Sequence, residues 1–256
     1  MSEALGRRQA QGETQYPAAA LLLRAEGELA NYSAWIAGLF ARDFRRSFPG
    51  GGRVLDFGAG PGILAQGFLE RTGVRPEGVE LDPALRALLI QRGFAGYSST
   101  AELAGCYEAV FSSNVLEHIP DDLAALRDLH ERLEPGGILL LYVPAFQAIW
   151  TRLDDRVGHF RRYTRKDLAA KLTAAGFKVE HSRYCDSVGF LLALAFRVIG
   201  SRNGEPSAWS LRLFDRFLFP ISRFLDHFTN RFFGKNVYLK AIRKPIAPLP
   251  PAEGRG

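Results

Sequence analysis

Short apolar runs and amphipathic segments alternate along the middle of the chain. Each run has the length of a strand, and the segments between the runs place their apolar residues at helical spacing. The predicted strands are 53–57, 75–81, 109–112, 137–142, 178–184 and a last, alternating one at 236–244. The predicted helices are 63–72, 83–92, 121–133 and 165–175. This alternation predicts an α/β fold with a parallel sheet and helices on both faces.

Two helical regions extend this pattern. Residues 1–16 are polar and are expected to be disordered, and residues 17–48 have the spacing of an N-terminal helical cap. Between the last two strands, residues 187–234 carry phenylalanines at steps of three and four, with arginines around them. We expect a helical insertion there. It is either a cap packed on the sheet, a lid over an apolar substrate pocket that also touches a membrane surface, or a dimer contact.

A third segment, 145–164, connects the strand at 137–142 to the next predicted helix. Loops of this length without regular structure are uncommon in compact domains and are often functional. We therefore expect this segment to cover part of a site.

The composition is that of an ordinary globular protein, and its 256 residues fit a single domain spanning 1–256. The net charge of +6 and a pI near 9.5 favour an anionic partner, such as nucleic acid, a phospholipid surface or a phosphorylated substrate. Two cysteines, Cys106 and Cys185, define neither a disulfide framework nor a zinc site, so no metal is predicted.

Nothing in the sequence predicts secretion or a membrane span. The first residues lack the apolar core of a signal peptide. The longest apolar run, 188–199, is interrupted by Arg197 and is shorter than the roughly 20 residues that a spanning helix needs. We expect a cytoplasmic protein, either free or peripheral to a membrane.

The most informative motif follows the first predicted strand and reads Asp56-Phe-Gly58-Ala-Gly60-Pro-Gly62. Glycines at a strand-to-helix turn allow a tight backbone and let a ligand approach the free N–H groups of the helix start. The dinucleotide pattern G-x-G-x-x-G is not met, because Ile63 occupies its third glycine position. Asp56, at the end of the strand, can face a cationic amino group.

A second carboxylate, Glu80, ends the second predicted strand, twenty residues after Gly60. Such a carboxylate is placed to hold the hydroxyls of a nucleotide ribose. Together, D-x-G-x-G-x-G and this strand-end Glu resemble the class I S-adenosylmethionine (SAM) methyltransferases. The resemblance implies a Rossmann-like, doubly wound, seven-stranded sheet, mostly parallel, whose last strand enters antiparallel next to the fifth.

The resemblance also implies SAM as the cofactor and assigns its contacts. They are Asp56, Gly58, Ala59, Gly60, Gly62, Glu80, Leu81, Ser98, Ser99 and Asn114. Family members often place an acid near the adenine after the third strand. Here the segment Gly96–Thr100 contains no acid, and the first one is Glu102. A hydroxyl or a backbone carbonyl is therefore expected to meet the adenine.

The segment Asn114-Val-Leu-Glu117-His118 resembles the motif after strand four in methyltransferases of the ubiquinone-biosynthesis type. In that resemblance, Asn114 lies beside the methionine part of the cofactor. His118 is a catalytic candidate, because it either faces the substrate or forms a local hydrogen-bonded cap.

The most polar stretch, 154–164, contains Gly158-His159-Phe-Arg161-Arg162-Tyr163. It follows the fifth strand of the expected sheet, at the carboxyl edge where open α/β folds bind ligands. His159 is the second catalytic candidate because an imidazole can take a proton near neutral pH. Arg161, Arg162 and Tyr163 are candidates for substrate binding, the arginines as partners of a carboxylate or phosphate. The alternative is a solvated loop whose arginines pair with Asp154 and Asp155.

The favoured function is methyl transfer from SAM to a small-molecule, lipid-like or lipid-linked acceptor. An RNA methyltransferase is the first alternative, because the chain is basic. No appended RNA-binding module or base-methylation motif is visible, so nucleic acid is a disfavoured partner. A regulatory protein that binds SAM without turnover is the second alternative. The sequence does not specify the acceptor atom or the oligomeric state.

Overall fold

Seven strands form one sheet in the computed structural model, which describes residues 27–199 and 207–244 together with Leu23. The strands are β1 (Val54–Phe57), β2 (Glu77–Val79), β3 (Gly96–Tyr97), β4 (Tyr107–Ser113), β5 (Leu133–Pro144), β6 (Phe177–Cys185) and β7 (Asn236–Arg243). Their order is β3-β2-β1-β4-β5-β7-β6. β7 pairs antiparallel with both β5 and β6, and the other neighbouring strands pair parallel. This is the predicted Rossmann-like, mostly parallel sheet.

The last strand lies where the resemblance placed it, beside the fifth. Tyr238 of β7 is opposite Tyr142 of β5, and Val237 is opposite Tyr184 of β6. The chain therefore crosses back between β5 and β6, which places both ends of the 187–234 insertion at one edge of the sheet.

Two details of the strand prediction are wrong. The apolar runs do not predict β3, because this strand has only two residues and contains no apolar run. The fifth begins at Leu133 rather than 137, because Leu133 pairs with Tyr107 before the ladder resumes at Ile138 and Ala109. The register shift between these two pairs is a β-bulge.

Nine helices accompany the sheet in the described parts of the chain. They are α1 (Ala30–Ser47), α2 (Ile63–Thr72), α3 (Pro83–Gln91), α4 (Asp122–Glu131), α5 (Arg152–Val157), α6 (Arg165–Ala174), α7 (Ser187–Ile199), α8 (Ala208–Leu213) and α9 (Phe219–Thr229). Short polar side chains start several of them. Asp82, Asp121 and Thr164 each accept a backbone N–H of the first turn, at the beginnings of α3, α4 and α6.

The core has two apolar layers, one on each face of the sheet. Alternate residues of β5 point to opposite faces, as a period of two requires. Leu139 and Leu141 pack in the layer covered by α4 and α6. Leu140 and Tyr142 pack in the layer under α1, where Phe40 stacks on a β4 ring.

The insertion is helical, as predicted, and consists of α7, α8 and α9 with a π-helical turn, Phe214–Leu218, between the last two. It is anchored to the sheet edge through Asp226, which accepts the backbone N–H groups of Asp186 and Ser187. It is anchored to α1 through Asp215, which accepts two backbone N–H groups at the start of that helix.

Of the predicted N-terminal cap, α1 is present from Ala30, whereas residues 1–22 and 24–26 lie outside the described part of the chain. Nowhere in the described residues is a helix sufficiently long and apolar to cross a bilayer.

The fold brings the predicted site together. The carboxyl ends of the parallel strands share one edge, and β1 lies between β2 on one side and β4 on the other. The strand order reverses at this point, and open α/β sheets bind ligands in the crevice that this reversal leaves.

Candidate active site

The loop between β1 and α2 is tied to the end of β2 by three hydrogen bonds. The backbone N–H groups of Gly58 and Ala59 both donate to the Val79 carbonyl, at 2.9 Å. The N–H of Gly60 donates to Glu80 Oε2 at 2.8 Å. The predicted glycine loop and the predicted strand-end carboxylate therefore form one unit.

The three glycines of this loop, Gly58, Gly60 and Gly62, differ in what surrounds the position of a Cβ atom. All three have positive φ, which disfavours other residues. A Cβ on Gly58 would lie 2.2 Å from Val115 Cγ2, and one on Gly62 would lie 2.9 Å from Leu89 Cδ1. A Cβ on Gly60 would meet no atom of the described residues within 4 Å. Only Gly60 therefore faces open space where a ligand can approach the backbone.

Asp56 is buried beneath this loop, with 2% of its surface exposed. Its Oδ2 has no hydrogen-bond partner among the described residues. Burial, with a smaller contribution from the charge of Glu80, raises the pKa of Asp56 well above its ordinary value. A cationic group would give this oxygen its missing partner, and the α-amino group of SAM is such a group.

Glu80 accepts one backbone N–H at each carboxyl oxygen, from Gly60 at Oε2 and from Asp82 at Oε1, both at 2.8 Å. Burial raises the pKa of Glu80, and these two bonds counteract the increase. Each oxygen keeps a further lone pair for a hydroxyl. The next side chain, Leu81, is 79% exposed and offers an apolar surface beside the carboxylate. These residues fit a ribose and a flat base.

The residues after β3 are arranged around Glu102, an acid to which the sequence analysis assigns no role. Ser98 donates to Glu102 from its backbone N–H, at 3.1 Å, and from its hydroxyl. These bonds lower the pKa of Glu102. Ser99 has extended backbone at the start of the turn Thr100–Glu102. Its contact with a cofactor, like that of Ser98, stays a prediction.

Asn114 directly follows β4 and has a left-handed backbone conformation with φ of 54°. Asn tolerates this region better than most residues do. Its backbone N–H donates to the Tyr142 carbonyl at 2.8 Å, and its side chain is exposed and donates to Ser113 Oγ. The amide therefore stands at the sheet edge between β1 and β5.

The two catalytic candidates, His118 and His159, are adjacent although 41 positions separate them. Their ring centroids lie 4.6 Å apart. Glu117 joins them, because its Oε1 lies 3.8 Å from His159 Nε2. The Phe160 N–H donates to the Glu117 carbonyl, so the 145–164 segment is held against the turn after β4.

Asp154 orients His159. Its Oδ1 lies 2.7 Å from His159 Nδ1 and 2.8 Å from Arg162 Nε. Burial alone would raise the pKa of Asp154, but the hydrogen bonds from His159 and Arg162 hold it well below its ordinary value. Arg162 thus pairs with Asp154, as the alternative interpretation expected. The pair is buried rather than solvated.

Burial raises the pKa of Glu117 above neutral pH and lowers that of His118 below it. Glu117 is fully buried, with neither carboxyl oxygen hydrogen-bonded among the described residues, and burial raises its pKa to about 8. Burial and the neighbouring His159 lower the pKa of His118 to about 4.

Glu117, His118 and His159 are also close enough together to share a ligand. One ligand atom from each of these three residues lies within 4.8 Å of the others. The sequence predicted no metal, yet this set has the donors of a divalent-metal site.

The predicted substrate-binding residues all have partners within the protein. Arg161 donates to the carbonyls of Ile119 and Pro120, at 2.7 Å each, and pairs with Asp122. Tyr163 is 1% exposed and donates to the carboxylate of the same Asp122. These contacts, and that of Arg162 with Asp154, brace the loop against the turn after β4. Substrate contact by any of the three stays a prediction.

Comparison with known proteins decides the class. Residues 25–182 match the family described as a methyltransferase domain. This stretch is more than half of the chain and includes the glycine loop, Glu80 and the histidine cluster. The chain belongs to this family of methyltransferases. The resemblance identified from the loop and Glu80 is thereby confirmed at the level of the family.

One similar protein is a ubiquinone biosynthesis O-methyltransferase from Xanthomonas axonopodis pv. citri (strain 306). It is 30% identical over an alignment of 156 residues, and the match covers 52% of this chain and 65% of that protein. The chain thus spans less than two thirds of this relative's length.

Two solved structures are similar in fold. A SAM-dependent methyltransferase from Thermotoga maritima, described as a possible histamine N-methyltransferase, has a TM-score of 0.55 at 14% identity and covers 89% of this chain and 98% of its own. Phosphoethanolamine N-methyltransferase 2 from Haemonchus contortus, in complex with SAM, has a TM-score of 0.53 at 18% identity, with 80% and 52% covered. At these identities the similarity concerns the fold alone.

Proposed function

We propose that this methyltransferase transfers the methyl group of SAM to a hydroxyl group of a small, apolar or lipid-linked acceptor, with His159 as the general base. The observation that carries the proposal is the Asp154–His159 pair at the carboxyl edge of the sheet. Hydroxyl nucleophiles reach an enzyme protonated, so their methylation benefits from a positioned base. The named activity of the Xanthomonas relative, O-methylation, supports the same choice.

The residues at the carboxyl ends of β1, β2 and β4 fit the cofactor SAM, which would supply an electrophilic methyl group. Asp56 would pair with its amino group, Glu80 would hold its ribose hydroxyls, and Leu81 would contact its base. Gly60 would leave room for it, and Asn114 would lie beside its methionine part. The support is the orphaned Asp56 oxygen and the open space at Gly60.

Proton transfer is assigned to His159. The ionised Asp154 accepts the Nδ1–H of the imidazole, which leaves Nε2 as the proton acceptor. The acceptor's hydroxyl proton moves to Nε2, and the resulting imidazolium is stabilised by Asp154. Arg162 holds Asp154 in place from its other side.

The cluster also supports a second mechanism for the same reaction. Glu117, His118 and His159 could bind a divalent cation that lowers the pKa of a coordinated hydroxyl. Treatment with a chelator separates the two mechanisms. Activity that survives the chelator supports His159 as base, and activity that is lost and then restored by a divalent metal supports the cation.

The experiment that tests the function is transfer of labelled methyl groups from SAM into a cell extract, followed by separation into lipid, small-molecule, RNA and protein fractions. Label in the lipid or small-molecule fraction is expected. Label in RNA would contradict the proposal in favour of an RNA methyltransferase. SAM binding without label in any fraction would favour a regulatory protein. We place the enzyme in the cytoplasm, either free or peripheral to the membrane.

A further inference from the structure

One side of the insertion presents large apolar side chains to solvent. Phe217, Ile221, Phe224 and Phe228 follow one another at steps of four, three and four, so they lie on one helical face. Phe224 and Phe228 are 65% and 69% exposed. The inner face of α9 carries the buried Phe219, so the helix is already packed against the domain without using its outer face.

The exposed apolar surface extends over the rest of the insertion. Leu191 and Phe196 on α7, Trp209 on α8 and Phe232 after α9 are each more than half exposed. Outside the insertion, the described large hydrophobics that are more than half exposed are Leu81, Ile90 and Phe160. An exposed apolar surface concentrated on one subdomain marks an interaction site.

A groove lined by arginines runs beside this face. Where α9 begins, Arg42, Arg71 and Arg223 line a volume of about 500 Å³ together with Trp35 and Pro220. The groove continues along α1 into a second volume of about 520 Å³, where Arg45 and Arg46 join Arg42 and Arg71. The carboxylate of Asp43 lies 3.7 Å from Arg42 and 4.0 Å from Arg46. The arginines that line the groove carry more positive charge than this one carboxylate can neutralise.

We propose that the insertion docks the methyltransferase on an anionic phospholipid surface. The outer face of α9, with Phe224 and Phe228, enters the boundary between head groups and acyl chains, while the groove around Arg42 and Arg223 binds lipid phosphates. Guanidinium groups bind phosphates through paired N–H donors, and aromatic side chains favour this boundary. The net charge of +6 adds a general attraction to an anionic bilayer.

The charge argues against a second copy of the chain as the occupant. A two-fold contact is self-complementary, so it would bring the same surface of both copies together. The arginine groove of one copy would then approach that of the other, and like charges would oppose the contact. An anionic bilayer instead complements both features of the surface.

This docking would also place the active site near the bilayer. Phe190 of α7 packs against Phe146 at a ring distance of 5.5 Å, and Arg197 donates to the Ala148 carbonyl. Both partners belong to the segment that carries His159. The proposal does not rest on the proposed function, because binding to vesicles needs neither SAM nor an acceptor.

The test uses the full chain and sedimentation with vesicles of phosphatidylcholine, with or without phosphatidylglycerol. The wild type should bind the anionic vesicles at low salt and release them as salt rises, and it should bind pure phosphatidylcholine weakly. Phe224→Ser with Phe228→Ser should weaken binding about tenfold or more. Arg42→Gln with Arg223→Gln should weaken it severalfold and reduce its salt dependence.

Two control variants test whether vesicle binding depends on this surface or only on the total charge and apolar surface of the protein. Arg127→Gln on α4 removes an exposed arginine elsewhere, and Ile90→Ser on α3 removes an exposed apolar side chain elsewhere. Neither should change vesicle binding. Equal binding to both kinds of vesicle, no binding at low salt, or a wild-type dimer that the two serine substitutions dissociate would each overturn the proposal. Thermal unfolding of each variant identifies any that fail to fold.

Discussion

The pKa of Glu117 lies above neutral pH because its buried surroundings give the carboxylate anion little stabilisation. The carboxyl group is buried, and Asp154 opposes its ionisation, whereas Arg162 favours it only in part. Burial raises its pKa from 4.5 to about 8. In the unfolded chain the same carboxyl group loses its proton near pH 4.5. Between these two values the folded state therefore binds more protons than the unfolded state.

The sign of the pH dependence follows from that difference. A raised pKa in the folded state stabilises the fold at low pH, and the contribution is lost as pH rises from about 4.5 to about 8. We expect the free energy of unfolding to fall with a slope of up to about 1.4 kcal/mol per pH unit in this window. Glu117→Gln should flatten the slope, and Glu134→Gln, at an exposed position, should not. Denaturant unfolding across this range measures the difference, and an unchanged slope in Glu117→Gln would contradict the assignment.

Asp154 and Asp155 offer a matched pair of substitutions beside the proposed base. Asp154 contacts His159 Nδ1, whereas Asp155 accepts the Trp150 Nε1–H at 2.9 Å. Asp154→Asn should lower turnover roughly a hundredfold or more, because the imidazole loses the partner that fixes its tautomer. SAM affinity, measured by calorimetry, should change little. Asp155→Asn should leave turnover nearly unchanged. Equal effects of the two substitutions would remove Asp154 from the mechanism.

At the scale of elements, the strand-to-helix turn after β1 allows a direct test of cofactor approach. Gly60 and Gly136 both have positive φ, and a Cβ on either would meet no atom of the described residues within 4 Å. Alanine at either position should cost similar stability, on the order of 1–2 kcal/mol. Only Gly60→Ala should weaken SAM binding, by about tenfold, because only that methyl group would enter the proposed cofactor crevice. If Gly60→Ala binds SAM as Gly136→Ala does, the crevice is misassigned.

The elements were predictable from the sequence where local patterns determine them. The boundaries of α2 and the caps of α4 and α6 follow from glycine, aspartate and threonine at known positions. The two-residue β3 could not be found, because its pairing with β2 comes from the neighbouring strand and not from an apolar run. The role of Asp154 was underestimated for a similar reason. Its burial follows from how the 145–164 segment folds and not from a local pattern in the sequence.

At the scale of the whole molecule, the sheet edge carries both halves of the proposed chemistry. The glycine loop and Glu80 were recognisable in the sequence because they belong to one motif and its fixed spacing. The arginine groove was not, because Arg42, Arg71 and Arg223 come from three helices that only the fold brings together. The exposure of Phe224 and Phe228 also depends on which face of α9 packs on the domain.

The most direct test of the account measures methyl transfer under single-turnover conditions, with saturating SAM and the acceptor identified from the labelled extract. Wild type and His159→Ala are compared at neutral pH, and calorimetry gives the SAM affinity of each. The account predicts a slower transfer step in His159→Ala, roughly a hundredfold, with SAM affinity nearly unchanged, because His159 acts on the acceptor and not on the cofactor. Full activity in His159→Ala, or loss of SAM binding together with activity, would contradict it.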